Sequence, residues 1–252
     1  MAMLNKRKDK LFYFLFYLFF ALVCACFIIP LLVVISASFT SENELLSGGF
    51  SLFPKEFTTA AYQSAFKNSE KMICAYLVTI AESFGGTFLT CVVCGMIGYA
   101  LSRSSFRFKK PITWVVMFTM LFSAGMIPTY IVYSKYYHIS NSFWIYILPG
   151  ITGGAWNTMV FRTFFRTLPE SLFESARLDG ANELTIFFKI VIPLSTPVFA
   201  SLGFMMLVGK WNDYTTSMIY IRNENLYTLQ YLLQKIMSES EFLKSMAQAG
   251  IV

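Results

Sequence analysis

Charge is scarce in this chain. Its 252 residues carry 13% charged side chains against 56% apolar ones, and Phe alone contributes 27. A soluble domain has about twice that charged fraction, and a soluble fold of this length could not cover its surface with so few charges. The balance is that of an integral membrane protein, and it excludes disordered, collagenous and disulfide-framework chains. Histidine is nearly absent: His138 stands alone beside Tyr136 and Tyr137, and one His cannot build a metal site. The five cysteines, Cys24, Cys26, Cys74, Cys91 and Cys94, all lie in apolar stretches. Cys91 and Cys94 spell CxxC within TCVVCGM, without the second ligand pair or thioredoxin-like context that a zinc or redox site needs. They read as small hydrophobic packing residues.

A nucleotide loop is also missing. GFMMLVGKWND holds Gly203, Gly209 and Lys210, but five residues separate the glycines and Trp211 follows the lysine. A Walker loop needs four residues between its glycines and then Lys with Ser or Thr. This chain is therefore not expected to bind or hydrolyse ATP, and no cofactor or metal is expected in it. No nucleophile elbow or zinc signature appears, and no nucleic-acid partner is implied.

What is present is a series of long apolar runs. A membrane-crossing helix needs about 20 mostly apolar residues. The runs predict spans at about 11–36, 72–101, 111–133, 142–165 and 190–208. The first is too long for a secretory signal and lacks a clear small-x-small cleavage site. The second carries Gly85, Gly86, Gly95 and Gly98, and small residues let membrane helices approach closely. The predicted fold class is all-α, a polytopic membrane bundle forming one domain over 1–252, with 211–252 mixed and polar.

Lys and Arg placement sets the orientation. With the N-terminus in the cytoplasm, the inside segments are the tail with Lys6, Arg7, Lys8 and Lys10, the loop 103–110 and the loop 162–189. Each carries four basic residues. The stretch RSSFRFKK is short, basic and free of acid. The polar stretch 211–252 then falls outside.

Intramembrane charges are expensive and often functional. Glu82, in YLVTIAESFGG, either faces a translocation path or is satisfied by neighbouring helices. Trp156, Asn157, Trp211, Asn212, Asp213 and Tyr214 are candidates to line such a path, though packing and interfacial anchoring account for them as well.

The segment 167–197, TLPESLFESARLDGANELTIFFKIVIPLSTP, is the most informative. Thr167 can cap a short helix with Pro169 in its first turn. Leu172, Phe173 and Ala176 share one face. Gly180 ends the helix, and Asn182 can cap the next. An exposed apolar face on such a helix asks for a partner. A helix lying on lipid would be rich in Lys and Arg, whereas this one sets Glu170, Glu174 and Asp179 against Arg177.

Here the sequence resembles the EAA motif of permease subunits in bacterial ABC importers: EAA, three residues, Gly, nine residues, then I-x-L-P. Glu174, Ser175 and Ala176 stand for EAA, Gly180 for the glycine, and Ile190, Ile192 and Pro193 close the motif. Ser175 departs from Ala and Ile192 from Leu. LDGAN, Pro193 and Pro197, with FSAGMIPTYIV, ILPGITGGAWNTMVFRTFF, LYTLQYLL and FPKEFTTAAYQSAF, resemble the maltose-type carbohydrate branch, closest in look to permeases for oligosaccharides and polysaccharide fragments. The resemblance covers about 11–236. It implies the type I importer fold with six spans, of which five are visible here. It also implies partners: ATPase subunits carrying ATP and Mg, a second and different permease subunit, an extracytoplasmic solute-binding protein, the sugar itself and membrane lipid. Location in the bacterial cytoplasmic membrane follows. By the same resemblance Glu174, Ser175, Ala176, Asp179, Gly180 and Ala181 couple to the ATPase, with Leu172, Phe173 and Ala176 suited to a helix-in-groove contact. The external segment 222–245 would touch the binding protein.

Two other classes compete. A membrane anchor or assembly protein would need neither the EAA spacing nor an ATPase. A secondary transporter would show internal repeats, and none is evident.

Overall fold

The computed structural model describes residues 6–248 except 42–43, 46–48, 50, 54–55, 61 and 64–68. Parts of FPKEFTTAAYQSAF and the last four residues of 211–252 thus lie outside the described residues. The chain divides into two units, Met1–Ser69 and Glu70–Val252.

The first unit is dominated by helix α1, Lys6–Ser38. It is apolar on all sides, and its core window buries nothing against protein. Such a helix is stable where lipid replaces water around it. Pro30 lies inside it and removes one ladder hydrogen bond.

The second unit holds the packed bundle. Helix α2, Glu70–Ser102, is the other element long and apolar enough to cross a membrane. A π-helical turn over Ala81–Gly86 widens it around Glu82. Lys109–Leu121 (α3) and Met126–Tyr136 (α4) meet at 115°, where Gly125 has φ +85°. After Phe143–Tyr146, a 3-10 turn, come Leu148–Gly153 (α5) and Ala155–Phe165 (α6). Glu170–Leu178 is α7. Glu183–Leu194 (α8) and Thr196–Trp211 (α9) meet at 84°. Thr215–Tyr220 (α10) and Leu229–Gln248 (α11) follow. Two helices pass the length and composition test for a span, or up to four if each bent pair counts as one.

The runs expected as spans at 111–133, 142–165 and 190–208 are therefore not straight helices. Gly125, Pro149, Gly154, Pro193 and Pro197 stand at or beside the breaks. Glycine and proline disrupt the helical ladder, and hydropathy alone does not register them. Among the described residues there is no strand, only the isolated bridge Thr40–Phe57. The expected all-α class is what is observed.

Two clusters hold the second unit. One, at the α7 end, packs Tyr99, Phe161, Phe165, Phe173, Phe187 and Leu202, with Cys94 also buried in it. The other joins Ile145, Tyr146, Ile221 and Tyr227. Helices α2 and α6 cross closely. A Cβ on Gly98 would lie 2.8 Å from Phe161 Cβ and 3.0 Å from Thr158 O, and one on Gly154 would lie 2.4 Å from Cys94 Sγ. Dispersion packing of small residues drives such contacts where lipid removes the hydrophobic drive.

Candidate functional site

The first candidate site is the α7 hairpin. Its helix does not begin as the sequence suggests. Thr167 Oγ1 donates back to Phe164 O at 2.7 Å, and the N-cap position is Pro169, without a side-chain cap. The helix begins at Glu170, so Pro169 rather than Thr167 occupies the capping position. The C-terminus forms as expected. Gly180 takes φ +81°, its N–H donates to Arg177 O, and Ala181 N–H donates to Ala176 O, both at 3.0 Å. This is the Schellman arrangement, which turns the chain sharply and satisfies the last carbonyls. Asn182 Oδ1 then accepts from Thr185 N at 2.8 Å and opens α8.

The helix has two faces, and the docking face differs from expectation. Phe173 and Ala176 are buried in the chain's own core. They are anchors, because the aromatic cluster beneath α7 offers them a place. The outward face presents Leu172, Glu174, Ser175, Leu178 and Asp179, with Leu178 87% exposed. Gly180 is exposed as well, and Ala181 packs at the core edge.

Beneath α7 lies a polar clamp that the sequence analysis missed. Arg103 is 4% exposed. It donates to Phe165 O at 2.7 Å, to Glu170 Oε2 at 3.1 Å and to Ser102 Oγ at 2.9 Å. Its guanidinium carbon sits 3.9 Å from the Phe173 ring centroid. Burial pushes the Arg103 pKa down, and Glu170 opposes that shift. On the far side Glu183 accepts from Tyr99 Oη at 2.6 Å and from Arg177 Nε at 3.0 Å. The clamp thus ties the ends of α2 and α6 to α7 and α8. Its one advance signal was Arg103 at the end of an apolar run, read only as part of a basic loop.

The second candidate site is a cavity of about 460 Å³, lined by Thr90, Gly150, Asn157, Lys210, Asn212 and Asp213 among others. It gathers Asn157, Asn212 and Asp213 from the expected path residues. Trp156, Trp211 and Tyr214 are not in its lining, and Trp156 and Tyr214 are exposed. Glu82 is also outside the lining and is 1% exposed. Lys210 reaches between helices: a Cβ on Gly86 would lie 3.0 Å from its Nζ, and that Nζ donates to Tyr146 O at 2.7 Å. Asp213 is committed locally, accepting from Thr215 N at 2.9 Å and Thr216 N at 3.1 Å to hold the start of α10. Tyr146 Oη meets Ser217 Oγ at 2.6 Å and donates to Leu226 O at 2.7 Å, bracing the wall behind. Polar side chains converging on a recess of this kind suit a hydroxyl-rich ligand.

A bent, broken membrane bundle with a short, partly exposed helix closed by a Schellman turn has counterparts among known proteins. The family described as the binding-protein-dependent transport system inner membrane component matches residues 1–241. The chain belongs to this family. It is a membrane permease component of such a system, and ATP hydrolysis resides in a separate subunit. Among its relatives is the polygalacturonan/rhamnogalacturonan transport system permease protein YtcP of Bacillus subtilis (strain 168). The two are 37% identical over 98% of this chain and 85% of that protein. The maltodextrin transport system permease protein MalD of Streptococcus pneumoniae (strain ATCC BAA-255 / R6) is 28% identical over 95% of this chain and 85% of its own length. A crystal structure of a bacterial ABC transporter involved in import of the acidic polysaccharide alginate contains a chain of the same fold. Its TM-score is 0.83 at 26% identity, covering 98% of this chain and 89% of that one.

Proposed function

We propose that this permease is one half of the membrane pathway of an ATP-driven oligosaccharide importer, with fragments of acidic polysaccharides as the first substrates to test. A relative named for polygalacturonan and rhamnogalacturonan and a structural neighbour from an alginate importer support the substrate class. The second half is a different permease subunit, two ATPase subunits lie below, and an external solute-binding protein delivers the sugar. The N-terminus is cytoplasmic, which follows from four basic residues in each inside segment.

The observation that carries the coupling role is the two-faced α7. Its inner side is fixed by Phe173, Ala176 and Arg103, so a push on Glu174, Ser175, Leu178 or Asp179 moves a rigid element. Gly180 and Ala181 set the angle at which that element projects. ATP binding must favour one pathway state through differential contacts, since equal affinity shifts nothing. The α7 surface is where that difference enters the membrane domain.

The sugar path is assigned to the cavity with Asn157, Asn212, Asp213 and Lys210, while Glu82 stands outside its lining. Trp156, Trp211 and Tyr214 contribute stacking only if the partner permease completes the path around them. Reconstitution with a partner permease, an ATPase and a binding protein tests the proposal. ATP-dependent uptake of labelled oligogalacturonate above that of maltodextrin supports it. Uptake of neither sugar, by a complex that hydrolyses ATP, contradicts the substrate class.

A further inference from the structure

The basic loop RSSFRFKK has a structural consequence beyond orientation. The start of α3 and the last part of α6 meet at a cavity of about 620 Å³. Lys109 and Lys110 come to it from one segment and Arg162 and Arg166 from the other. Thr113, Trp114 and Met117 line it further along α3, and Trp114 is 73% exposed. Among the described residues none of these four cations takes part in an ion pair. The acids nearby are used elsewhere, Glu170 by Arg103 and Arg177, and Glu183 by Arg177. Arg162 is held in place by a bond from its Nε to Leu101 O at 3.3 Å.

Four like charges around one recess repel each other unless an anion joins them. The positive end of the 13-residue α3 opens at the same place and adds to the field. A loop that merely obeys the positive-inside rule would scatter its cations into water. Here two segments more than 50 residues apart in sequence bring theirs to one recess. The wall continues into exposed Trp114 and Met117, an apolar surface where acyl chains fit. Basic pockets between membrane helices on the cytoplasmic side suit anionic headgroups.

We infer that this recess binds the phosphate headgroup of an anionic phospholipid of the cytoplasmic leaflet. Arg166 stands just before the turn into α7, so an occupied site ties α3 to the root of the coupling helix. The leaflet assignment rests on the orientation proposed above.

Native mass spectrometry of the assembled transporter, released from vesicles of equal phosphatidylglycerol and phosphatidylcholine, tests the inference. Wild type should retain one phosphatidylglycerol per copy of this chain more than the Lys109→Gln/Arg166→Gln variant. Arg107→Gln, which removes a charge from the same loop outside the recess, should retain the wild-type complement. Size-exclusion profiles establish that each variant assembles, and a variant that does not is replaced by Lys110→Gln alone, expected to weaken retention. Equal retention in all assembled variants would overturn the inference. Displacement of the lipid by inorganic phosphate would overturn the lipid assignment in favour of a soluble anion. Retention is read by mass and needs no sugar transport, so its failure is separable from failure of the substrate reading.

Discussion

Arg103 and Phe173 form a buried stack: the guanidinium carbon lies 3.9 Å from the ring centroid, and both side chains are nearly inaccessible. The pair joins the end of the long helix α2 to the inner face of α7. A desolvated cation–aromatic contact is worth about 2 kcal/mol. Arg103→Lys keeps the charge but loses the planar fork that reaches Phe165 O and Glu170 together. The expected outcome is a complex that inserts and hydrolyses ATP with reduced uptake per ATP. Arg103→Ala should also lower the melting temperature in detergent. Uptake and ATPase rates measured in parallel separate coupling from folding.

Gly180 offers a cleaner probe of the hairpin, because a Cβ there meets nothing within 4 Å. Within this chain the effect of substitution comes from its φ of +81°. Left-handed backbone costs an ordinary L-residue about 1–2 kcal/mol, while Asn is tolerated there better than most. Uptake should fall in the order Gly, Asn, Ala, Val, with insertion unchanged. Equal uptake across the series would remove the turn from the mechanism.

Close packing of α2 and α6 predicts a compensating pair. Gly154→Ala drives a methyl into Cys94 Sγ and should cost about 1–3 kcal/mol. Cys94→Ala removes the obstructing sulfur, so the double variant should recover part of that loss. Thermal melts of the four proteins form a double-mutant cycle. Additive losses would mean that the two helices do not approach as described.

How much of this was legible in sequence depended on the kind of signal. The α7 turn was readable because Gly180 and Asn182 carry local chemistry that acts within a few residues. Membrane character was readable from composition. The breaks in the runs 111–133, 142–165 and 190–208 were hidden, because an apolar window averages over Pro149 or Gly125. Phe173 and Ala176 were mistaken for a docking face since helical spacing shows that residues share a side, not which side faces in. The Arg103 clamp joins residues 67 positions apart, and nothing local announces it. Asn157, Asn212 and Asp213 were singled out by residue type and share a cavity lining, whereas the presence of Lys210 in that lining needed the fold.

Acid should loosen the segment around Glu224. Lys71 and Lys235 hold this exposed carboxylate below its usual pKa of 4.5. A depressed folded-state value means the stabilisation is present above pH 4.5 and lost as pH falls through the lowered value. Limited proteolysis near 224 should accelerate in wild type as pH falls through that lowered value, and Glu224→Gln should show the faster cleavage already at pH 7.

The central claim is that the outward face of α7 meets an ATPase. A photo-crosslinker at exposed Ser175, activated in native membranes, tests it most directly, with the captured partner identified by mass spectrometry. The account predicts an ATPase subunit, and a crosslink that weakens when Gly180 is replaced by Val. Capture of lipid alone, or of an unrelated protein, from a complex shown to be intact would contradict it.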